Sequence, residues 1–216
     1  MVHAESKLVS CTVNPSSHPI SFEINRHLTK GEPTWANYVK VRCCPSYLPA
    51  QTCNGPTQGV IYQYLDDLPQ NIAFNAVIAS NVPLGSGLSS SAALEVATAT
   101  FLETLLDITH ISGITRALRC QQAEHTFCNT PCGIMDQYIS CMGRRGNLLL
   151  IDCREKDFKL VPFGRDTAGP VLLVTNSCVT HALGDGAYDV RVRQCQEAVR
   201  VLSQSFPHIK ALRDAT

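Results

Sequence analysis

Between Gly85 and Ser91 the chain crowds two glycines and four serines into one short stretch, PLGSGLSSSAAL in full, and a helix-forming run follows at once. A helix start leaves its first N–H groups unpaired and carries the positive end of the helix dipole. Gly85 and Gly87 let the backbone approach a ligand closely and take positive φ. Ser89, Ser90 and Ser91 add hydroxyls at or just inside the same start. Together these groups make a cradle for phosphate oxygens. The stretch is not a Walker A loop, because GxxxxGK[ST] is absent, and it is not GxGxxG, because Ser90 stands at the third glycine position. A glycine turn with a serine N-cap is the plainer use of the same residues. The local pattern leaves both readings open.

A second stretch bears on the choice: AEHTFCNTPCGIMDQ, Ala123 to Gln137. It holds Glu124, a small-residue turn at Pro131, Cys132 and Gly133, and then Asp136. Phosphoryl transfer needs one carboxylate to hold a magnesium ion and another to orient or deprotonate the attacking hydroxyl, both beside a phosphate cradle. The plain alternatives are a solvated helical Glu124 and an Asp136 favoured simply by a first helical turn.

The totals narrow the classes. Lys+Arg and Asp+Glu both number 18, so there is no basic surplus to argue for nucleic acid or an anionic membrane. No apolar run reaches the roughly 20 residues of a bilayer span, and MVHAESKLVSCTV has no basic segment before an apolar core. A cytoplasmic protein is expected. Eleven cysteines, odd in number and irregular in spacing, read as reduced and mostly buried thiols. Cys128 and Cys132 lie four apart with no second pair at a zinc-site distance, so they are not read as a metal centre.

Along the chain, KLVSCTV and SFEI read as short strands and WANYVK as the start of a helix. FNAVIASNV, Phe74 to Val82, reads as a strand. SAALEVATATFLETLL is helical, with a stripe at Leu94, Ala97, Phe101 and Leu105. ITRALRCQQAEHTF and GIMDQYISCMG are two further helices, and GNLLLIDC is a strand. GPVLLVTNS, Gly169 to Ser177, is expected as a buried strand, followed by a last amphipathic helix, YDVRVRQCQEAVRVLSQSF. Helices and strands mix without strict βαβ alternation, so the expected class is α+β.

These segments carry a family resemblance. PLGSGLSSSAALEVA resembles the second signature of the GHMP kinases, and CQQAEHTFCNTPCGIMDQYIS, LLLIDCR, TNSCVTHALGDGAYDVRVRQC and WANYVK are similar to successive segments of the galactokinases within that superfamily. The resemblance runs in order from about Trp35 to Val201. It implies a GHMP-kinase N-terminal domain of the ribosomal-protein-S5-domain-2 type over residues 1–168, and the start of a ferredoxin-like C-terminal domain over 169–216. It implies ATP-dependent phosphorylation of the C1 hydroxyl of α-D-galactose, with ATP and Mg2+ as cofactors and galactose as partner. Gly85, Gly87, Ser89 and Ser90 would wrap the nucleotide phosphates, with Ser91 beside them; Ser91 and Glu124 match Mg2+ positions. Asp136 matches the catalytic carboxylate, and Gly133, Asp136 and Tyr188 match sugar contacts. For Tyr188 the plain alternative is a core tyrosine at a helix start; Trp35 fits a place near adenine or a buried packing role equally well.

Three departures qualify the resemblance. Nothing matches the galactokinase motif similar to GRVNLIGEHTDY, which supplies sugar contacts and a catalytic Arg, and the glycine-rich third motif is also unmatched. Impaired or absent turnover by this chain is therefore expected, since a transition-state Arg contributes on the order of 10³–10⁵ in rate in other phosphoryl-transfer systems. Third, VRCCPSYLPAQTCNGPTQ, residues 41–58, separates Lys40 from Gly59 where the family continues directly. The hypothesis here is translated intron, since Val-Arg can be spelled GTG-AGG and Gln CAG; a genuine surface loop is the alternative. Uniform message coverage across the segment would sink it. The rival functions are a kinase for N-acetylgalactosamine or another small molecule, and a non-catalytic ATP- or sugar-binding paralogue.

Overall fold

The structure is a computed structural model describing residues 6–10, 20–22, 24, 39, 59–69, 72–83, 87–127, 132–163, 172–175 and 187–215. The insertion at 41–58, Trp35 and Gly85 lie outside them. In chain order the elements are β1 (Ser6–Ser10), β2 (Ile20–Phe22), the single turn α1 (Val60–Gln63), β3 (Asn75–Ile78), α2 (Ser90–Leu105), α3 (Gly113–Phe127), α4 (Met135–Met142), β4 (Asn147–Asp152), β5 (Asp157–Pro162) and α5 (Ala187–Ser205), with a 3₁₀ turn at Leu212–Asp214. The class is α+β, as expected.

The strands form two small sheets. In the first the order is β2-β1-β3. β1 runs antiparallel to β2, with Leu8 opposite Ile20, and parallel to β3, with Leu8 opposite Ala76. A parallel pair needs a long crossover, and the span from Ser10 to Asn75 supplies one. The second sheet is the β4–β5 hairpin, with Leu150 opposite Lys159. Asp152 sets its turn: Oδ1 accepts from the backbone N–H groups of Arg154 (2.9 Å) and Glu155 (3.3 Å), and Lys156 takes φ 56° to close the return. β5 was not read from the sequence, because DFKLVP follows β4 too closely to stand out as a run of its own.

Helices α2, α3 and α4 pack on one another. Val60, Ile61, Tyr64, Val96, Ala99, Leu102, Cys120 and Ala123 form the main core, and Phe74 meets Phe101 edge to face at 5.2 Å between ring centroids. A second cluster, Ala117, Ile134, Tyr138 and Met142, receives Leu149, Ile151 and Phe158 from the hairpin. The Tyr138 hydroxyl donates to the Lys156 carbonyl at 2.9 Å, which ties α4 to the hairpin turn.

Three expectations are corrected. The buried face of α2 is Ala92, Glu95, Val96, Thr98, Ala99, Leu102 and Glu103, whereas Ala97 and Leu105 of the expected stripe are exposed. The helix is apolar nearly all round, so hydrophobic spacing could not pick the face; two buried glutamates with specific partners mark it instead. Residues 172–175 of the expected strand carry no ladder, and Leu172, Leu173 and Val174 are 72%, 88% and 69% exposed. A run this apolar reads as buried wherever it occurs, and only tertiary contact decides. Among the described cysteines Cys120 is buried, Cys132 and Cys141 are half-buried, and Cys153 and Cys195 are exposed, which is less burial than expected. Cys153 sits in the hairpin turn and Cys195 on α5, where no layer covers them. Among the described residues no helix is long and apolar enough to cross a membrane.

Candidate active site

The first turn of α2 presents backbone N–H donors behind two left-handed residues. Gly87 has φ 76° and Ser89 φ 58°, two left-handed residues flanking Leu88. A serine in that region costs about 1–3 kcal/mol, and such outliers gather at ligand clamps. Its conformation also removes the plain reading of Ser89 as an N-cap, for its side chain caps nothing. The first backbone bond is Ala93 N–H to Ser89 C=O at 3.0 Å, so the N–H groups of Ser90, Ser91 and Ala92 precede the ladder. A Cβ on Gly87 would meet nothing within 4 Å, so its need for glycine comes from backbone angle rather than crowding.

The second set of residues lies where α2, α3 and α4 meet. Glu124, on α3, is 3% exposed, which excludes the plain reading of a solvated helix residue. Its Oε2 accepts from the Gln137 amide nitrogen at 2.7 Å and from the Cys132 thiol at 3.2 Å. Gln137 follows Asp136 in the first turn of α4, and the same amide nitrogen donates to Glu95 Oε2 at 3.0 Å. Glu95 and Gln137 are both wholly buried. Burial first, then the negative charges of Glu124 and Asp136, push the Glu95 carboxyl up to about 9, against the opposing Gln137 hydrogen bond. Burial, with Glu124 beside it, also holds Cys132 as a neutral thiol, which is the form that can donate.

The loop before α4 is pinned from α3. Gln121 Nε2 donates to the Cys132 carbonyl at 3.1 Å, and His125 Nε2 lies 2.7 Å from the same oxygen. That fixes Gly133 immediately after it. A Cβ built on Gly133 would lie 3.7 Å from the Tyr188 hydroxyl, so the first turn of α5 faces this loop. Tyr188 is 54% exposed, which removes the reading of a core tyrosine.

Of the expected residues, Glu124 and Asp136 thus lie around one junction, and Gly133 and Tyr188 form a second pair beside it. Ser91 is four residues before Glu95 on α2, hence on the same helix face. Glu95, Gln137 and Cys132 were not read as site residues. The available signal was a glutamate inside an apolar helical run with no basic residue nearby in sequence. The groove along the other side of α2, lined by Ala93, Ala97, Thr100, Phe101, Thr104 and Ser140, contains none of these groups.

Among the described residues no three His, Cys, Asp or Glu side chains gather as a complete metal cage. The donor set nonetheless fits magnesium, which takes one or two hard protein oxygens and completes its shell with water and substrate phosphates. The Glu124 carboxylate is such a donor, and the Ser91 hydroxyl is a second of the right kind.

Comparison with known proteins gives matches over most of the chain. Residues 57–144 match the family described as the GHMP kinases N terminal domain. Galactokinase of Homo sapiens is 48% identical over 180 residues, covering 83% of this chain and 40% of that protein. Galactokinase of Haemophilus influenzae (strain PittGG) is 40% identical over 195 residues, covering 90% of this chain and 44% of that protein. The chain therefore spans less than half the length of these curated relatives. A crystal structure of Lactococcus lactis galactokinase complexed with galactose superposes with a TM-score of 0.74 at 22% identity, over 96% of this chain and 48% of that one. With the left-handed turn at Gly87 and Ser89, the buried Glu124 and the Asp136 turn in this order, residues 57–144 form a GHMP kinases N terminal domain.

Proposed function

We propose that this chain carries the ATP-binding half of a galactokinase, which phosphorylates the C1 hydroxyl of α-D-galactose to galactose 1-phosphate. The observation that carries the reading is Glu124, buried where α2, α3 and α4 meet and held through Oε2 by the Gln137 amide, in the layer that α2 enters with its donor turn. The galactokinase relatives support the same substrate class.

In this reading Gly85, Gly87, Ser89 and Ser90 surround the nucleotide phosphates, and Ser91 and Glu124 hold Mg2+. The ion, when bound, neutralises charge on the transferring phosphoryl group. Asp136 accepts the proton of the sugar O1 hydroxyl as that oxygen attacks the γ-phosphorus and ADP leaves. Gly133 leaves room for the sugar, and Tyr188 offers it a hydroxyl. Catalysis is then chiefly positioning and electrostatic stabilisation. The domain division near residue 168, with 169–216 opening a second, ferredoxin-like domain, belongs to this proposal, as does a cytoplasmic setting.

The test is calorimetric titration of the chain with Mg-ATP, followed by mass-spectrometric detection of sugar phosphate from galactose or N-acetylgalactosamine. Mg-ATP binding with galactose 1-phosphate formed slowly or not at all is the expected result. Product from the other sugar alone would move the assignment to that kinase. No nucleotide binding at all would remove the reading.

A further inference from the structure

Glu95 raises a problem that the proposed chemistry does not solve. It is an acid on the buried face of α2, 0% exposed. Among the described residues its hydrogen-bond partner is the Gln137 amide, and no cation pairs with it. Burying an unpaired carboxylate is costly, and replacing it with a hydrophobe of similar size usually is not. A group kept under those terms acts through what it touches.

What it touches is the holder of Glu124. A primary amide nitrogen carries two hydrogens, and Gln137 spends both on acids: one on Glu95 Oε2 at 3.0 Å, the other on Glu124 Oε2 at 2.7 Å. The bond to Glu95 therefore sets the rotation of the amide, and the amide sets the carboxylate of Glu124. We propose that Glu95 is a positioning residue, locking Gln137 so that the Glu124 carboxylate is held through Oε2 in the orientation in which it would ligate the ion. This rests on the reading of Glu124 as a metal ligand given above.

A second observation supports the lock. Glu95 Oε1 and Gln137 Oε1 are the two buried side-chain atoms without a hydrogen-bond partner among the described residues. One belongs to an acid and the other to the amide it already bonds. With no other partner for either oxygen among the described residues, the acid–amide bond is the contact that orients Glu95 against Gln137.

The decisive variants are Glu95→Gln, Glu95→Met and Glu124→Gln in the full chain. The readouts are the Mg2+ concentration that half-supports ATP binding by calorimetry, and ligand-free thermal unfolding. Groups that hold a metal ligand in place typically contribute about 10–100-fold in affinity, so E95M is expected to fold and to need about tenfold more Mg2+. E95Q keeps an oxygen for the Gln137 N–H and adds a donor, so it is expected to stay close to the parent chain. Should E95M fail to fold, Glu95→Leu removes the same bond with a more compact side chain and carries the same expectation. Folded E95M with an unchanged Mg2+ requirement would reduce Glu95 to a packing residue and overturn the proposal. Equal loss in E95Q and E95M would overturn it too, by showing that the site needs the charge. An unaffected E124Q would remove the metal reading itself, and this proposal with it.

Discussion

The hydroxyl of Tyr188, in the first turn of α5, stands 3.7 Å from the point a Cβ on Gly133 would occupy. That is ordinary contact, so alanine fits at 133 without moving the backbone, and Gly133 is not a positive-φ glycine. Gly133→Ala is expected to leave stability unchanged or raise it by about 0.4–1 kcal/mol through the unfolded state, while weakening sugar binding. Tyr188→Phe removes one hydroxyl from a half-exposed ring and is expected to shift stability by less than about 0.5 kcal/mol. Thermal melts beside galactose titrations check both; a large loss of stability in either would mean the contact is structural.

Gly87 and Ser89 share the left-handed region and should respond oppositely. Gly87→Ala places a Cβ at φ 76° and is expected to cost about 1–2 kcal/mol, although nothing crowds the new atom. Ser89→Gly relieves the strain at φ 58° and is expected to keep or raise the melting temperature. In the same variant the missing hydroxyl should weaken Mg-ATP binding. A destabilised S89G would contradict the strain at this position.

The Tyr64–Glu103–Arg116 network joins α1, α2 and α3. Glu103 is 5% exposed, accepts the Tyr64 hydroxyl, and takes the Arg116 Nε at 2.9 Å. Arg116→Met leaves that carboxylate buried without its cation, and a loss of about 3 kcal/mol is expected in urea unfolding. The double variant Glu103→Leu, Arg116→Met should lose less than the two single losses combined, because no lone charge remains. Additive losses would show the pair to be uncoupled.

Glu95 makes stability depend on pH in a definite direction. Its folded carboxyl lies above the ordinary 4.5, at about 9, so the folded chain binds a proton that the unfolded chain releases. That contribution is complete below pH 4.5 and is lost as pH rises through about 9. Denaturation at several pH values across this window should show the parent chain losing stability relative to Glu95→Gln. Parallel pH profiles for the two would mean that Glu95 titrates normally.

The sequence by itself determined the α+β class, the helices at α2 to α5 and the family. These rest on local signals: glycine and serine at a helix start, long periodic runs, and ordered motifs that survive reading one residue at a time. It also offered Ser89 to Ser91, Glu124 and Asp136 as candidates, since their residue types suit that chemistry. Tertiary structure decided which face of α2 is buried, because a helix apolar on most sides carries no preferred face until α3 and α4 pack on it. It decided that residues 172–174 stand exposed rather than in a sheet. Most of all it decided the junction of Glu95, Gln137 and Glu124, three polar residues up to 42 positions apart. No local pattern encodes that meeting, for a buried hydrogen bond exists only once three helices have excluded the water that would otherwise satisfy each group.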